Sequence, residues 1–244
     1  MQTSVGPASK SGATTASGTR QLTKEAKEFK PGKKGPNATL DDFLARADLQ
    51  VPEQEMGRIT QLLNQLQKNN VMEKAEQLEK LVTRGILAWF SQFFILNRVQ
   101  KEVNNHPMYA ELLNRFRGKE TISYITNESC RMVKRVLLNE SLLFQQKGEQ
   151  AGQAITQFLR NLSSFIGNVT LALNRPLLSK DLDLKQLLFE GFKKGKLHYS
   201  IPVSCRVLKE GTKSQIFVAG NPYIHGILCF LGELKNHVHA LSLN

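Results

Sequence analysis

The 244-residue chain has only three cysteines, Cys130, Cys205 and Cys229, which are odd in number and too widely spaced for a disulfide framework. Set among apolar residues, they read as buried, reduced thiols of a cytosolic or nuclear protein. No long hydrophobic run is present. The longest apolar stretch, Ile86 to Leu96, is interrupted by Ser91 and Gln92 and is too short to cross a bilayer. The N-terminus lacks the apolar core of a signal peptide, so a soluble, intracellular protein with no membrane partner is expected. Acidic residues are also scarce, with 21 Asp and Glu against 33 Lys and Arg and a formal net charge of +12. Part of that excess lies before residue 40, where Lys10, Arg20, Lys24, Lys27, Lys30, Lys33 and Lys34 face only Glu25 and Glu28. Such a charge favours acidic partners and a non-specific attraction to RNA, and it decides nothing about fold.

The signatures of chemistry are missing as well. There is no phosphate-cradling glycine loop, no zincin helix motif and no paired Cys-x-x-Cys. His225 and Cys229 are four apart on one expected helix, but two ligands do not make a metal site, and a capping histidine with a core thiol is the plainer reading. His237 and His239 are two apart, about 200° round a helix, and cannot converge on one ion. Asp181 and Asp183 precede a leucine-rich helix, a position that suits N-capping better than acid–base work. No catalytic residue, metal or cofactor is expected, and the chain reads as non-enzymatic.

What is present is helical periodicity. Residues 1–38 are rich in Ser, Thr, Ala, Gly and Lys, with Gly6-Pro7, Pro31-Gly32 and Gly35-Pro36 as breakers, and read as a disordered basic tail. Residues 39–51 read as a linker with a short helix, capped by Thr39 and running to about Ala47. From Pro52 to residue 244 the apolar residues recur at three- and four-residue spacing. Ile59, Leu62, Leu63 and Leu66 mark one helix, and Val71, Ala75, Leu78, Leu81 and Val82 the next. The segment around Trp89, Phe90, Phe93 and Phe94 leaves little polar face and needs cover on several sides. Met108, Leu112, Leu113 and Phe116 follow, with Gly118 as the stop. A longer helix carries Ile122 to Leu137, with Arg131, Lys134 and Arg135 expected outside. Ile155 to Leu173 forms one continuous stripe on a helix whose other face is almost uncharged, as expected for an internal helix. Leu182 to Phe192, Ile201 to Leu208 and Pro222 to Ala240 give three more, the last burying Ile224, Ile227, Leu228, Leu231 and Leu234. Gln215 to Val218 could be a strand by propensity, but it has no visible partner and reads as an extended loop. The order implies an all-α protein, an α-solenoid of stacked antiparallel helix pairs, with a closed irregular bundle as the alternative.

The basic clusters Lys193, Lys194, Lys196 and Arg115, Arg117, Lys119 sit at helix ends, where cations suit the dipole. Single-strand binders interleave such charges with exposed aromatics, whereas here Phe and Trp fall on expected core faces. Contact with RNA is therefore expected to be indirect.

Several strings then resemble one family in collinear order over roughly residues 52–236. They are Ala88-Trp89-Phe90-Ser91-Gln92-Phe93-Phe94 through Arg98, followed by His106-Pro107-Met108-Tyr109; Phe158 to Leu162 with Phe165-Ile166-Gly167; and Asp181 to Gly191 with Lys194-Gly195 and Ile201-Pro202. Gly220-Asn221-Pro222-Tyr223 is similar to a family Pro-Asn-Pro-Trp loop. The family is the middle domain of the Ccr-Not deadenylase scaffold, a HEAT-like stack similar to the middle domain of translation initiation factor four-G. The resemblance implies two partners, the Caf-type deadenylase nuclease and a DEAD-box RNA helicase, together with other Ccr-Not subunits if the chain is part of a longer scaffold. It implies a role in poly(A) shortening, translational repression and mRNA decay, in the cytoplasm in association with P-bodies or also in the nucleus. It also places nuclease contacts at Lys194, Asn221, Pro222 and Tyr223, and helicase contacts at Gln92 and Arg98. Tyr223 in place of tryptophan, and Ala219-Gly220 in place of prolines, imply a more mobile loop. The competing reading is a translation-factor-like helical domain that binds RNA or an initiation helicase directly.

Overall fold

The structure, a computed structural model, describes residues 40–46, 49–139 and 149–237. Thr39, the basic tail before it and the residues after His237 lie outside the described residues, as does His239. The first helix, α1 (Leu40–Leu44), is shorter than expected and buries Leu44 completely. Pro52 caps α2 (Glu53–Asn64), its carbonyl accepting from the amides of Glu55 and Met56. Asn70 closes the turn into α3 (Val71–Leu81), with Oδ1 accepting from Gln67 N at 2.8 Å and Nδ2 donating to Gln65 O at 2.8 Å.

The apolar segment at Trp89 forms α4 (Arg84–Phe94) and continues into a π turn, Ile95–Val99, in which Gln100 N reaches back to Ile95 O. The wider turn buries Ile95, Leu96 and Val99 together. Trp89 and Phe93 stack with ring centroids 5.0 Å apart, and Phe94 meets Tyr109 and Phe165 edge-on. The expected cover on several sides is supplied by the fold itself. α5 (His106–Arg115) and α6 (Lys119–Leu138) follow, with Pro107 near the α5 start, where its missing N–H costs nothing.

α7 (Glu149–Val169) lies inside the stack, against α5, α6 and α10 (Leu197–Glu210). Its apolar stripe runs from Ile155 to Val169, and its uncharged face is buried too, at Asn161, Ser163 and Asn168. Those polar groups are satisfied: Asn161 Nδ2 donates to Gln100 O, and Ser163 and Asn168 bond to carbonyls one turn back. A face without charge can be covered by a neighbouring helix at little desolvation cost, which is why α7 reads as it does.

A short α8 (Ser179–Leu182) and α9 (Leu184–Lys193) replace the single helix expected here, because the Asp183 side chain caps α9 by accepting from Gln186 N at 3.0 Å. α10 starts earlier than expected, at Leu197, since Lys196 O accepts from Tyr199 N and Ser200 N. Pro202 then gives up one ladder bond inside it. α11 (Pro222–His237) ends the described chain. Among the described residues there is no strand, and Gln215 to Val218 is a loop. The result is an all-α stack of antiparallel helix pairs, and the closed bundle is set aside.

Three burial expectations are corrected. Cys130 is buried, but Cys205 and Cys229 are exposed. Leu228 is 42% exposed on α11, and Phe189 and Phe192 on α9 are 42% and 49% exposed. Arg131, Lys134 and Arg135 are half-buried rather than outside, because α1 and Lys180 on α8 lie over the end of α6.

Asn174 sets the next loop. It ends the 3-10 turn Leu171–Leu173 with φ 57°, and its Oδ1 accepts from Ser214 Oγ, Gln215 N and Ile216 N at 2.7, 3.0 and 3.4 Å. Asn174→Ala is expected to cost about 2 kcal/mol in urea unfolding and Asn174→Gly about half of that, because glycine keeps the left-handed backbone and loses only the hydrogen bonds.

Candidate protein-docking site

The loop from Ser214 to Asn221 enters α11 fastened at both ends. Ser214 Oγ accepts from Ile216 N and Phe217 N at 3.0 and 2.8 Å. Asn221 Nδ2 donates to Ile216 O at 3.2 Å, and its Oδ1 accepts from Tyr223 N at 3.0 Å at the first turn of α11. These side-chain clamps at Ser214 and Asn221 do not depend on proline at positions 219 and 220. Held in this way, the loop presents Ile216 and Val218 to solvent, 54% and 48% exposed.

Pro222 is exposed beside them. Tyr223 is half-buried, and its hydroxyl is enclosed without a hydrogen-bond partner. Burial, with the nearby Asp183 and Cys130, pushes its pKa up to about 12, so the ring points inward as a neutral phenol. Of the three loop candidates, Asn221 shapes the backbone, Pro222 faces outward and Tyr223 anchors the start of α11.

α9 and α11 then enclose a groove of about 440 Å³ lined by Asp183, Lys185, Gln186, Phe189, Gly226, Cys229, Phe230 and Glu233. Gly226 admits the Lys185 side chain, since a Cβ there would lie 2.7 Å from its Nζ. Phe189 stands at the wall with the Lys193 ammonium 4.3 Å above its ring. Phe192, three residues on along α9, is also exposed but does not line the groove. Cys229 Sγ lies 3.4 Å from His225 Nε2 on the exposed side of α11. Among the described residues no three metal-binding side chains converge.

Lys194 does not join this groove. Its Nζ pairs with Glu190 at 3.4 Å, and it lines a separate groove of about 270 Å³ with Lys134, Leu137, Leu182, Leu187, Gly191 and Ser200. Lys196 is buried there, with Nζ 3.4 Å from Leu137 O. The lysine cluster is therefore not one basic surface: one cation lies over an aromatic ring, one is ion-paired and one is buried.

Gln92, expected as an outward contact, is corrected. It is fully buried, with Oε1 accepting from Arg46 N at 3.0 Å and Nε2 donating to Glu128 Oε1 at 3.5 Å. The abundance of large side chains on α4 leaves no outer face for it. Arg98 is half-buried, pairing with Glu102 at 3.0 Å and bonding Asn64 Oδ1 across to α2.

The missed residues are Phe189, Phe192 and Phe230, all of which carried core-like apolar signals. Among the described residues the helical stack carries an exposed aromatic groove, a surface suited to holding another protein. Residues 48–244 match the family described as the CCR4-NOT transcription complex subunit 1 CAF1-binding domain. The chain belongs to that family. It is 28% identical over 193 residues to General negative regulator of transcription subunit 1 of Saccharomyces cerevisiae, covering 79% of this chain. It is 27% identical over 188 residues to the protein of the same name in Schizosaccharomyces pombe, covering 77% of this chain. It is 30% identical over 192 residues to CCR4-NOT transcription complex subunit let-711 of Caenorhabditis elegans, again over 77% of this chain. The matched region spans 9%, 9% and 7% of those three relatives.

Proposed function

We propose that the chain is a non-enzymatic scaffold module that holds a Caf1-type deadenylase through the α9–α11 groove and the adjoining Ile216–Pro222 loop. The chain belongs to a family described by Caf1 binding, and the observation that carries the reading is the groove between two helices lined by the exposed Phe189, with Phe192 exposed one turn further along α9. A tethered nuclease gains effective concentration at its substrate without any chemistry from the scaffold. The downstream consequences would be poly(A) shortening, translational repression and mRNA decay. Mixing the purified chain with a Caf1-type nuclease and titrating by calorimetry tests this, and no heat at micromolar concentrations would remove the reading.

The Pro222→Ala, Tyr223→Ala double variant should weaken that binding about tenfold while circular dichroism stays helical, because it removes an outward contact and loosens the α11 start. Unchanged affinity would take the loop out of the interface.

A DEAD-box helicase is proposed to dock near the π turn that follows α4. There Arg98 fastens α2 to that turn, and Gln92 acts from inside by holding α1 and α6 in place. Direct RNA binding gains no support from the lysine cluster, whose members are each engaged within the fold.

A further inference from the structure

The short helix α1 sits on the domain as a peptide would. It precedes residue 48, where the family match begins, and is laid against α4 and α6 of the matched region. Arg135 of α6 donates from Nη2 to Phe43 O at 2.9 Å and from Nη1 to Leu44 O at 3.4 Å. The same guanidinium lies 4.9 Å from the Phe43 ring centroid. Gln92 of α4 accepts from Arg46 N at 3.0 Å. Leu44 is fully buried between these contacts.

Contacts within the domain brace the seat beneath α1, the strap. Gln92 is positioned by Glu128, and Glu128 is held by Arg131, whose Nε donates at 2.9 Å. The cations Arg131, Arg135 and Lys101 border it; burial and the neighbouring Asp42 push the Asp41 carboxyl up, and Lys101 partly offsets that cost. The strap supplies the complement, with Asp41 and Asp42 in its first turn and Phe43 and Leu44 after them. Two of the contacts go to main-chain carbonyls and one to a main-chain amide, which any sequence in this conformation can offer. Side-chain selection is left to the leucine pocket, the ring under Arg135 and the acid–base match.

A five-residue helix is far too short to hold its shape alone, so α1 depends on the seat, and its occupancy rests on being tethered beside it. An untethered segment of the same chemistry from another protein competes for the same contacts. We infer that the face formed by Gln92, Arg135 and the Leu44 pocket is a recognition site for a short acidic helix bearing adjacent phenylalanine and leucine on a partner protein, with the chain's own Leu40–Arg46 as its resident occupant. This site uses α4 and α6 and is independent of the proposed nuclease groove on α9 and α11.

The probe is a fluorescein-labelled peptide, Leu-Asp-Asp-Phe-Leu-Ala-Arg, titrated by anisotropy into the full chain and into the full-chain variant Leu44→Asp, which vacates the pocket. Binding to the variant should be about tenfold tighter than to the unaltered chain, because the tethered competitor is gone. Adding Arg135→Ala to that variant should abolish binding. A peptide with both aspartates replaced by lysine should bind at least about tenfold more weakly. Equal affinity for all chains, or none for any while circular dichroism stays helical, overturns the inference. If Leu44→Asp loses helicity, Leu44→Ala replaces it, since it empties the pocket without burying a charge. A concentration-dependent dimer of the unaltered chain that Arg135→Ala dissolves would make the occupant a second copy's strap and overturn the partner reading.

Discussion

Gly167→Leu is expected to lower the Tm of the chain by about 10 °C. Gly167 sits where α7 and α10 come closest. A Cβ there would lie 2.7 Å from Val207 O and 2.8 Å from Glu210 Cβ, below any real contact distance. The first obstacle is main chain and cannot rotate away, so the two helices must separate. That separation unpacks Leu162, Phe165, Ile166, Val203 and Val207, all completely buried. Overpacking of this kind costs about 3 kcal/mol, and each kcal/mol moves the midpoint of a domain this size by about 3 °C. Gly152 supplies the control on the same helix. Nothing lies within 4 Å of a Cβ at that position, so Gly152→Ala should gain up to about 1 kcal/mol from helix propensity alone. Opposite signs for two glycine substitutions on one helix, read by differential scanning calorimetry, distinguish close approach from propensity. A Gly167→Leu chain that melts with the unaltered protein would remove the close approach.

The helices were legible because their cause is local. Ile155, Leu159, Leu162, Ile166 and Val169 repeat at three- and four-residue spacing, and any helix bearing them must bury that side. Even the inner position of α7 could be read, since a face of Gln, Asn and Ser with Arg160 as its only charge carries little desolvation cost. What could not be read is which faces the described helices leave uncovered. On α9, Leu184, Leu188 and Gly191 make the buried stripe with Leu187 partly buried beside it, and Phe189 and Phe192 widen the apolar arc to more than half the turn. An arc that broad indicates either a helix enclosed on two sides or one with a second, unfilled face. Periodicity is the same for both, and only the placement of α11 decides between them. Gln92 failed for the reverse reason. A polar residue in an apolar run looks like an outward position, yet its amide is matched inside by the Arg46 amide and the Glu128 carboxylate, partners 46 and 36 residues away. The cysteines divide on the same ground: Cys130 lies deep in α6, where burial pushes its thiol up to about 12, while Cys205 and Cys229 fall on outer turns of α10 and α11.

Phe189→Asp with Phe192→Asp should reduce affinity for a Caf1-type nuclease by about a hundredfold, equivalent to about 3 kcal/mol, with the fold unchanged. Both rings are already close to half exposed, so the folded chain loses little packing when they go. In a complex, an exposed aromatic edge is where binding energy concentrates, because each ring buries a large area with few torsions to freeze. Aspartate adds a penalty that alanine does not, since its charge must be desolvated against the partner with only Lys193 and Lys185 close at hand. The sign of the electrostatic contribution can be separated by salt. If the nuclease were drawn mainly by the basic charge of the chain, Lys185→Ala and Lys193→Ala would weaken binding steeply at low ionic strength and little at high. If the aromatic edge dominates, as proposed, the double aspartate variant loses its affinity at every ionic strength, and the lysine variants lose no more than about threefold. Retention of full nuclease affinity by the aspartate variant would move the interface off the α9–α11 groove. The groove lined by Leu137, Leu182, Leu187 and Lys194 would then be the next surface to substitute, starting from Leu187, which is only partly covered there.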